Sequence, residues 1–292
     1  MDIFLQVLIG GIGVGLIYAL PAFSIVLLFN TAGFPNLAQG DFLALSTYFL
    51  LQFHILMSLP LPLAILFTIV AMGTVGILVN TILFNPLRKF NALPQLTLIV
   101  TLALSIFLQN FIRVVWGSTP LAVNIFPAQP VVVGGAFIRI SSFWILGASV
   151  ILILLIYILS QKTAFGMAMR AASEDKEAAN LMGINVNMVI GAAFAISLTI
   201  TGIAGILGTS VLFLTPEMGI SIGTKAFAAA VIGGFGNPIG ALFGGVLIGV
   251  LESYVSLFLP ASYRDVITFL LLICFLLFKP TGLFKTENVT KV

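Results

Sequence analysis

The chain has 292 residues, 60% hydrophobic and 7% charged, with a mean hydropathy of +1.23. Soluble domains are about a quarter charged, so 12 basic and 9 acidic side chains cannot cover a water-facing surface. Disorder, which needs charge and few apolar groups, is excluded by the same figures. A net charge of +3 without a basic stripe excludes nucleic acid as a partner, and one cysteine with one histidine excludes a disulfide framework and a Cys/His metal centre.

A helix crosses the hydrocarbon core with about 20 apolar residues. The first stretch, residues 7–29, has no basic segment ahead of it, because Asp2 is the only charge before Asp41. It reads as a span rather than a cleaved signal. Gly10, Gly11, Gly13 and Gly15 crowd it at a spacing that lets helices approach closely in lipid, and no strand precedes them as a dinucleotide loop would require. Further spans are expected at 42–57, 61–83, 96–115, 143–159, 188–212, 239–258 and 266–278. A shorter apolar stretch, 226–231, reads as a half helix or the broken part of a longer one. The expected fold is an all-α polytopic membrane protein forming one permease-sized domain over 1–292, with about eight transmembrane helices and one short or broken helix.

Basic residues in short loops set orientation. Arg88, Lys89, Lys162, Arg170, Lys176, Lys279, Lys285 and Lys291 fall on one side, and Arg113, Arg139, Lys225 and Arg264 on the other. This bias places the loop 161–187 and the tail 279–292 in the cytoplasm and the N-terminus outside, with an external loop flanked by Trp116 and Trp144. Two segments, Asn36-Leu-Ala-Gln39-Gly40-Asp41 and Gly219-Ile-Ser-Ile-Gly223-Thr224-Lys225, put glycines and polar groups between apolar stretches. They follow spans of opposite direction and match an inverted repeat with discontinuous helices at a transport path. The second is not a phosphate-binding loop, since it has three residues between its glycines and the order Thr-Lys. No ATP-hydrolysing motif is recognisable, so active transport would draw on an ion gradient or a separate ATPase.

The loop 161–187 is the most informative segment. Ser173 is expected to cap a short helix, with Glu174, Asp175 and Glu177 near its positive end. Ala178, Ala179, Leu181 and Met182 supply an apolar face, and Gly183 ends the helix. Such a helix between two spans is either a surface linker or a peg for a cytoplasmic partner.

Read together, these motifs resemble the high-affinity branched-chain amino acid permeases, the LivH-type membrane subunits of ABC importers. The family's Arg-Ala, Ala-Ala and Gly-Ile-Asn coupling pattern is met by Arg170-Ala171, Ala178-Ala179 and Gly183-Ile184-Asn185. Its early pattern is met by Gly15-Leu-Ile-Tyr18-Ala-Leu20, and the next by Asn36-Leu-Ala38-Gln39-Gly40-Asp41. The late glycines correspond to Gly233-Gly234-Phe-Gly236, Gly240-Ala241 and Gly244-Gly245, followed by Glu252, and the tail to Lys279-Pro280-Thr281-Gly282-Leu283-Phe284. Gln39 stands where the family commonly has His, and Pro21-Ala-Phe-Ser24 replaces a more usual Leu/Ala/Gly stretch.

The resemblance implies an importer subunit in a bacterial inner membrane, paired with a second homologous permease and resting on two cytoplasmic ATPases. It would receive an amino-acid solute from a periplasmic binding protein. The chain itself would be no enzyme and would need no cofactor, ATP being used by the partner subunits. Residues 173–182 would dock into an ATPase groove, since coupling needs a rigid element with two arrangements. Ionisable groups within spans mark pathways by default. This singles out Asp41, Lys225 and Glu252, with Asn36, Gln39 and Thr224 beside them. Asp41 and Lys225, one in each interrupted segment, are expected to pair unless each caps a helix at the surface. Glu252 either joins the path or ties two spans together, and Glu217 is an external loop charge. Two alternatives remain open: a permease of the same scaffold for urea, amides or other amino acids, and an ion-coupled secondary transporter using Asp41 and Glu252. An intramembrane enzyme would need motifs that are missing here.

Overall fold

A computed structural model describes residues 2–90, 93–123, 125–126, 129–133, 136–260, 263–279 and 281–284. Pro280 and the basic residues Lys285 and Lys291 of the expected tail lie outside these ranges. The chain runs α1 (Asp2–Ala32), α2 (Gln39–Leu50), α3 (Leu61–Val79), α4 (Asn85–Lys89) and α5 (Pro94–Trp116). A two-stranded antiparallel hairpin, β1 (Pro130–Val133) and β2 (Ala136–Arg139), follows, pairing Val131 with Ile138. Then come α6 (Ile140–Lys162), α7 (Ala164–Glu174), α8 (Lys176–Leu181), α9 (Val186–Gly208), α10 (Met218–Gly233), α11 (Pro238–Val255) and α12 (Tyr263–Phe278). Helix α2 continues through a π-helical segment, Leu51–Leu56, and α3 runs through another, Asn80–Phe84, into α4.

Among the described residues, six helices are long and apolar enough to cross a membrane: Ile3–Ala32, Leu61–Arg88, Gln95–Trp116, Ile140–Lys162, Val186–Gly208 and Pro238–Val255. The other two expected spans correspond to α2 with its π extension and to the 16-residue α12. The short stretch 226–231 is the second half of α10, a 16-residue helix. At 1.5 Å per residue that is about 24 Å, less than the ~30 Å of a hydrocarbon core. The sequence showed only its apolar half, because Gly219, Gly223, Thr224 and Lys225 interrupt the hydropathy of the first. The hairpin was not foreseen, since each of its strands is only four residues long.

Helix α1 is the axis of the molecule, packed against α11, α9 and α10. Of its most apolar window 78% is buried, against 22% for α3, although both have a mean hydropathy of 2.3. The closest seam is α1 on α11. A Cβ at Gly11 would lie 2.9 Å from Val250 Cα, and one at Gly15 would lie 2.7 Å from Val246 Cα. From the other side, a Cβ at Gly249 would strike the backbone of Gly15, and one at Gly245 that of Ala19. Lipid tails are as apolar as leucine, so this backbone proximity, rather than a hydrophobic gradient, holds the pair.

Several helix ends gather at one pole. Asn30 Nδ2 donates to Gly236 O at 2.8 Å, joining the end of α1 to the turn before α11. Leu283 N and Phe284 N donate to Ile232 O (2.9 Å) and Gly233 O (3.0 Å), so residues 281–284 return to the end of α10. Lys176 Nζ donates to Ala32 O at 2.8 Å, bringing α8 to the same pole.

Replacing Gly249 with Ala should cost about 1–3 kcal/mol through overpacking of the α1–α11 seam. The measurement is thermal unfolding of the detergent-solubilised protein. Gly10→Ala is the control, because a Cβ there meets nothing within 4 Å. Equal melting temperatures for the two variants would show that the seam does not carry the fold.

Candidate translocation site and coupling surface

The turn before α2 builds the first polar cluster. Ala38 N donates to Asn36 Oδ1 (3.1 Å), and Asn36 Nδ2 donates to Gln39 Oε1 (3.1 Å). The Gln39 amide in turn donates to Thr201 Oγ1 (2.5 Å) and Ser197 Oγ (3.1 Å) on α9, and Ser197 Oγ donates to Ser24 O (3.2 Å) on α1. Asn36, Gln39, Ser197 and Ser24 are fully buried. With no water at this depth, Asn36, Gln39 and Ser197 each find a partner inside the protein, while the Ser24 hydroxyl has none among the described residues. The cluster fixes the start of α2 against α9 and α1.

One residue on, α2 crosses α10. A Cβ at Gly40 would collide with Gly219 O and lie 2.5 Å from Gly223 N, and a Cβ at Gly219 would lie 2.5 Å from Asp41 Oδ1. The two interrupted segments singled out in the sequence therefore touch. Asp41 sits in the first turn of α2, beside the first turn of α10, where the backbone N–H groups of both helices favour negative charge. Its Oδ2 accepts from Ser105 Oγ at 2.5 Å and its Oδ1 from Gln109 Nε2 at 3.1 Å, both on α5.

Lys225 does not meet Asp41, contrary to expectation. Nearly two turns beyond Gly219, it faces α11 and α12 instead, with Nζ 2.9 Å from Glu252 Oε1 and 2.9 Å from Asp265 Oδ1. Glu252 also accepts from Tyr18 Oη (3.1 Å) and Thr268 Oγ1 (2.6 Å), and Lys225 Nζ lies 5.3 Å from the centre of the Tyr18 ring. This knot joins α1, α10, α11 and α12. Lys225 and Glu252 are buried, while the Asp265 side chain is 60% exposed. Glu252 also borders a cavity of about 470 Å³ between α1, α6 and α11, which Arg139 and Arg264 line as well. Thr224 joins none of these groups: it is exposed, and its hydroxyl donates back to Ile220 O and Ser221 O at 2.9 Å. Glu217, ahead of α10, is exposed as expected and pairs with Arg113 at 2.6 Å. That hydrogen bond holds its carboxyl below the usual carboxylate range.

The segment 161–187 folds as two helices rather than one. Thr163 Oγ1 accepts from Gly166 N (3.1 Å) to cap α7, whose course runs through Ser173 to Glu174. The chain breaks at Asp175 (φ −150°), and its Oδ1 accepts from Glu177 N (2.8 Å) and Ala178 N (3.1 Å) to cap α8. Asp175 takes the capping role expected of Ser173, because the extended backbone that an N-cap needs lies at Asp175, while Ser173 is inside α7. Gly183 has φ +84°, as a helix-ending glycine should. Arg170 donates to the end of α6 at Ser160 O. Arg170, Glu174, Glu177, Ala178 and Gly183 are exposed, Ala171 and Ile184 half-buried, and Ala179 buried. Leu181 and Met182 are 89% and 85% exposed, an uncovered apolar tip.

The family model described as "Branched-chain amino acid transport system / permease component" matches residues 7–276. The chain belongs to that family. It is 33% identical to the high-affinity branched-chain amino acid transport system permease protein LivH of Salmonella typhimurium, over 99% of this chain and 98% of the relative. With BraD of Pseudomonas aeruginosa, a permease protein of the same description, identity is 32% over 99% and 98%. Among solved structures, PsaBC from Streptococcus pneumoniae in complex with Fab aligns with a TM-score of 0.49 and 18% identity, over 96% of this chain and 93% of that one. The family and the apolar helices make this chain a multi-pass membrane permease, from a family of transporters rather than enzymes.

Sequence reading missed Ser105, Gln109, Ser197, Thr201, Tyr18, Thr268 and Asp265. One signal was available: Thr97, Thr101, Ser105, Gln109 and Arg113 recur every fourth residue along α5, a polar line that winds slowly around the helix.

Replacing Lys225 with Met would strand a buried Glu252 carboxylate, a loss of about 3–5 kcal/mol for a broken buried pair. The double variant Lys225→Met/Glu252→Gln should recover most of it. A thermal unfolding series on the detergent-solubilised protein checks this; equal losses for the single and double variants would mean the pair is not what holds these helices.

Proposed function

We propose that this chain is the membrane-spanning permease subunit of an ABC importer that moves branched-chain or similar aliphatic amino acids. A periplasmic binding protein hands over the solute, a second homologous permease completes the path, and two cytoplasmic ATPases drive the cycle. The chain needs no cofactor and catalyses no reaction. Its N-terminus is periplasmic, and its C-terminus, with 161–187, is cytoplasmic.

The observation that carries the reading is the family match over nearly the whole chain, together with the α7–α8 element it contains. Two short capped helices, held between the long spans α6 and α9, expose acidic groups and an apolar tip at the pole where α1 ends and α11 begins. Arg170, Ala171, Glu174, Glu177, Ala178, Ala179, Gly183 and Ile184 form the docking element. Lys176 on Ala32 O ties it to the end of α1, so a push on α8 reaches α1 and the turn leading to Asn36. Asn36, Gln39 and Asp41 stand where α1, α2, α9 and α10 converge and border the path. Lys225 and Glu252 keep α10, α11 and α12 moving as one body, and Thr224 faces outward.

Charge inversion at Glu174 and Glu177 should strip the ATPases from the complex while the permease still inserts. Gly183→Val should do the same by forcing a β-branched residue into a left-handed backbone, at about 1–2 kcal/mol. Affinity purification from native membranes with mass spectrometry reads both; full ATPase recovery and uptake would remove the docking role. Competition uptake with leucine, isoleucine, valine and urea then assigns the solute, and block by urea alone would overturn the amino-acid reading.

A further inference from the structure

Asp41 stands apart from the other membrane-embedded acids. Glu252 and Asp265 each meet Lys225, but among the described residues no basic nitrogen lies within 4.0 Å of Asp41. It is 2% exposed, and the side chains that donate to it are neutral, the Ser105 hydroxyl and the Gln109 amide. The first turns of α2 and α10 favour its ionised form. The result is a buried carboxylate beside two helix N-termini, with no counter-ion within 4.0 Å among the described residues.

We propose that Asp41, Ser105 and Gln109 form a subsite for the α-ammonium group of the transported solute, with the Gln109 amide holding that place between transport events. This rests on the amino-acid permease reading above and deepens it. Three observations carry it. Gln109 donates an N–H to Oδ1 at 3.1 Å, the same bond an ammonium would make, but without the charge that roughly doubles its strength. Both covering side chains come from α5 and are only half-buried, so the cover faces outward from the protein while the carboxylate is held inside. Ser105 and Gln109 also belong to the polar line from Thr97 to Arg113, which offers hydrogen-bonding steps on either side of Asp41. Since Ser105 donates to Oδ2 and Gln109 to Oδ1, withdrawal of Gln109 frees one oxygen while Ser105 keeps the other oriented.

The test is equilibrium binding of radiolabelled leucine to the assembled, nucleotide-free complex in nanodiscs, without binding protein. The competitors are 3-methylbutylammonium, which lacks the carboxylate, and 4-methylpentanoate, which lacks the ammonium. The ammonium should compete and the carboxylate should not. Asp41→Asn should weaken leucine binding at least tenfold, and Gln109→Leu, which removes the place-holder but not the charge, should tighten it several-fold. Wild-type affinity in Asp41→Asn, equal competition by the two analogues, or an absence of specific leucine binding in a complex that takes up leucine would overturn the subsite. Should Asp41→Asn fail to assemble, Gln109→Leu decides, and unchanged or weaker binding there sinks the idea. Uptake of urea but not leucine by the intact wild-type complex would overturn the amino-acid reading, while direct binding of radiolabelled 3-methylbutylammonium, lost in Asp41→Asn, would still report on the cation subsite.

Discussion

The backbones of α2 and α10 touch where Gly40 meets Gly219 and Gly223, and the polar architecture of the membrane interior follows from that crossing. Any side chain at these positions would push the helices apart. Their closeness puts the first turns of both next to Asp41, so two sets of unpaired N–H groups converge on one carboxylate. It also turns Lys225, further along α10, away from Asp41 and toward α11 and α12. Two acids that look equivalent in the sequence thereby acquire different surroundings: Glu252 has a cation, a phenol and a threonine, while Asp41 has neutral donors.

Lipid explains why Asn36, Gln39 and Ser197 are so fully committed. In water a glutamine or serine left without a partner finds solvent; inside a bilayer it must find protein. Gln39 reaches two hydroxyls on α9, Ser197 passes the chain on to Ser24 O, and Asn36 closes the turn into α2. These bonds add directional constraints to a core otherwise held by glycine seams, which resist compression but say little about rotation. Buried ion pairs are weak sources of net stability, because desolvation offsets attraction. The Lys225 knot is better understood as fixing which faces of α10, α11 and α12 meet.

The α7–α8 element joins the outside of the molecule to this interior. Its caps are local, made by Thr163 and Asp175, and α7 packs against α6, α9 and α1. Lys176 also ties the element to α1 through the carbonyl of Ala32, the last residue of that helix. Seven residues further on, at Gln39, the chain enters α2 and the Gly40 crossing. A stiff external element, a short tether and a glycine-pivoted crossing are what transmission between a cytoplasmic motor and a membrane path requires.

Much of this was legible in the sequence. Hydropathy set the membrane class and most span positions. Motif order from Gly15 to Phe284 gave the family, and the glycine-interrupted segments marked the two helices that meet. Gly183 was recognisable as a helix end, because only glycine takes a left-handed backbone without cost. Hydropathy could not tell the central α1 from the peripheral α3, since lipid and protein interior are equally apolar surroundings. Nor could it pair the charges: Asp41 and Lys225 occupy matching places in the chain, yet helix rotation sends one to α5 and the other to α11. Local composition and backbone preference determined which segments are helical and where they stop. Which side chains share a site was decided by the tertiary structure alone, because in a bilayer that depends on how closely particular backbones approach and on which faces they then present.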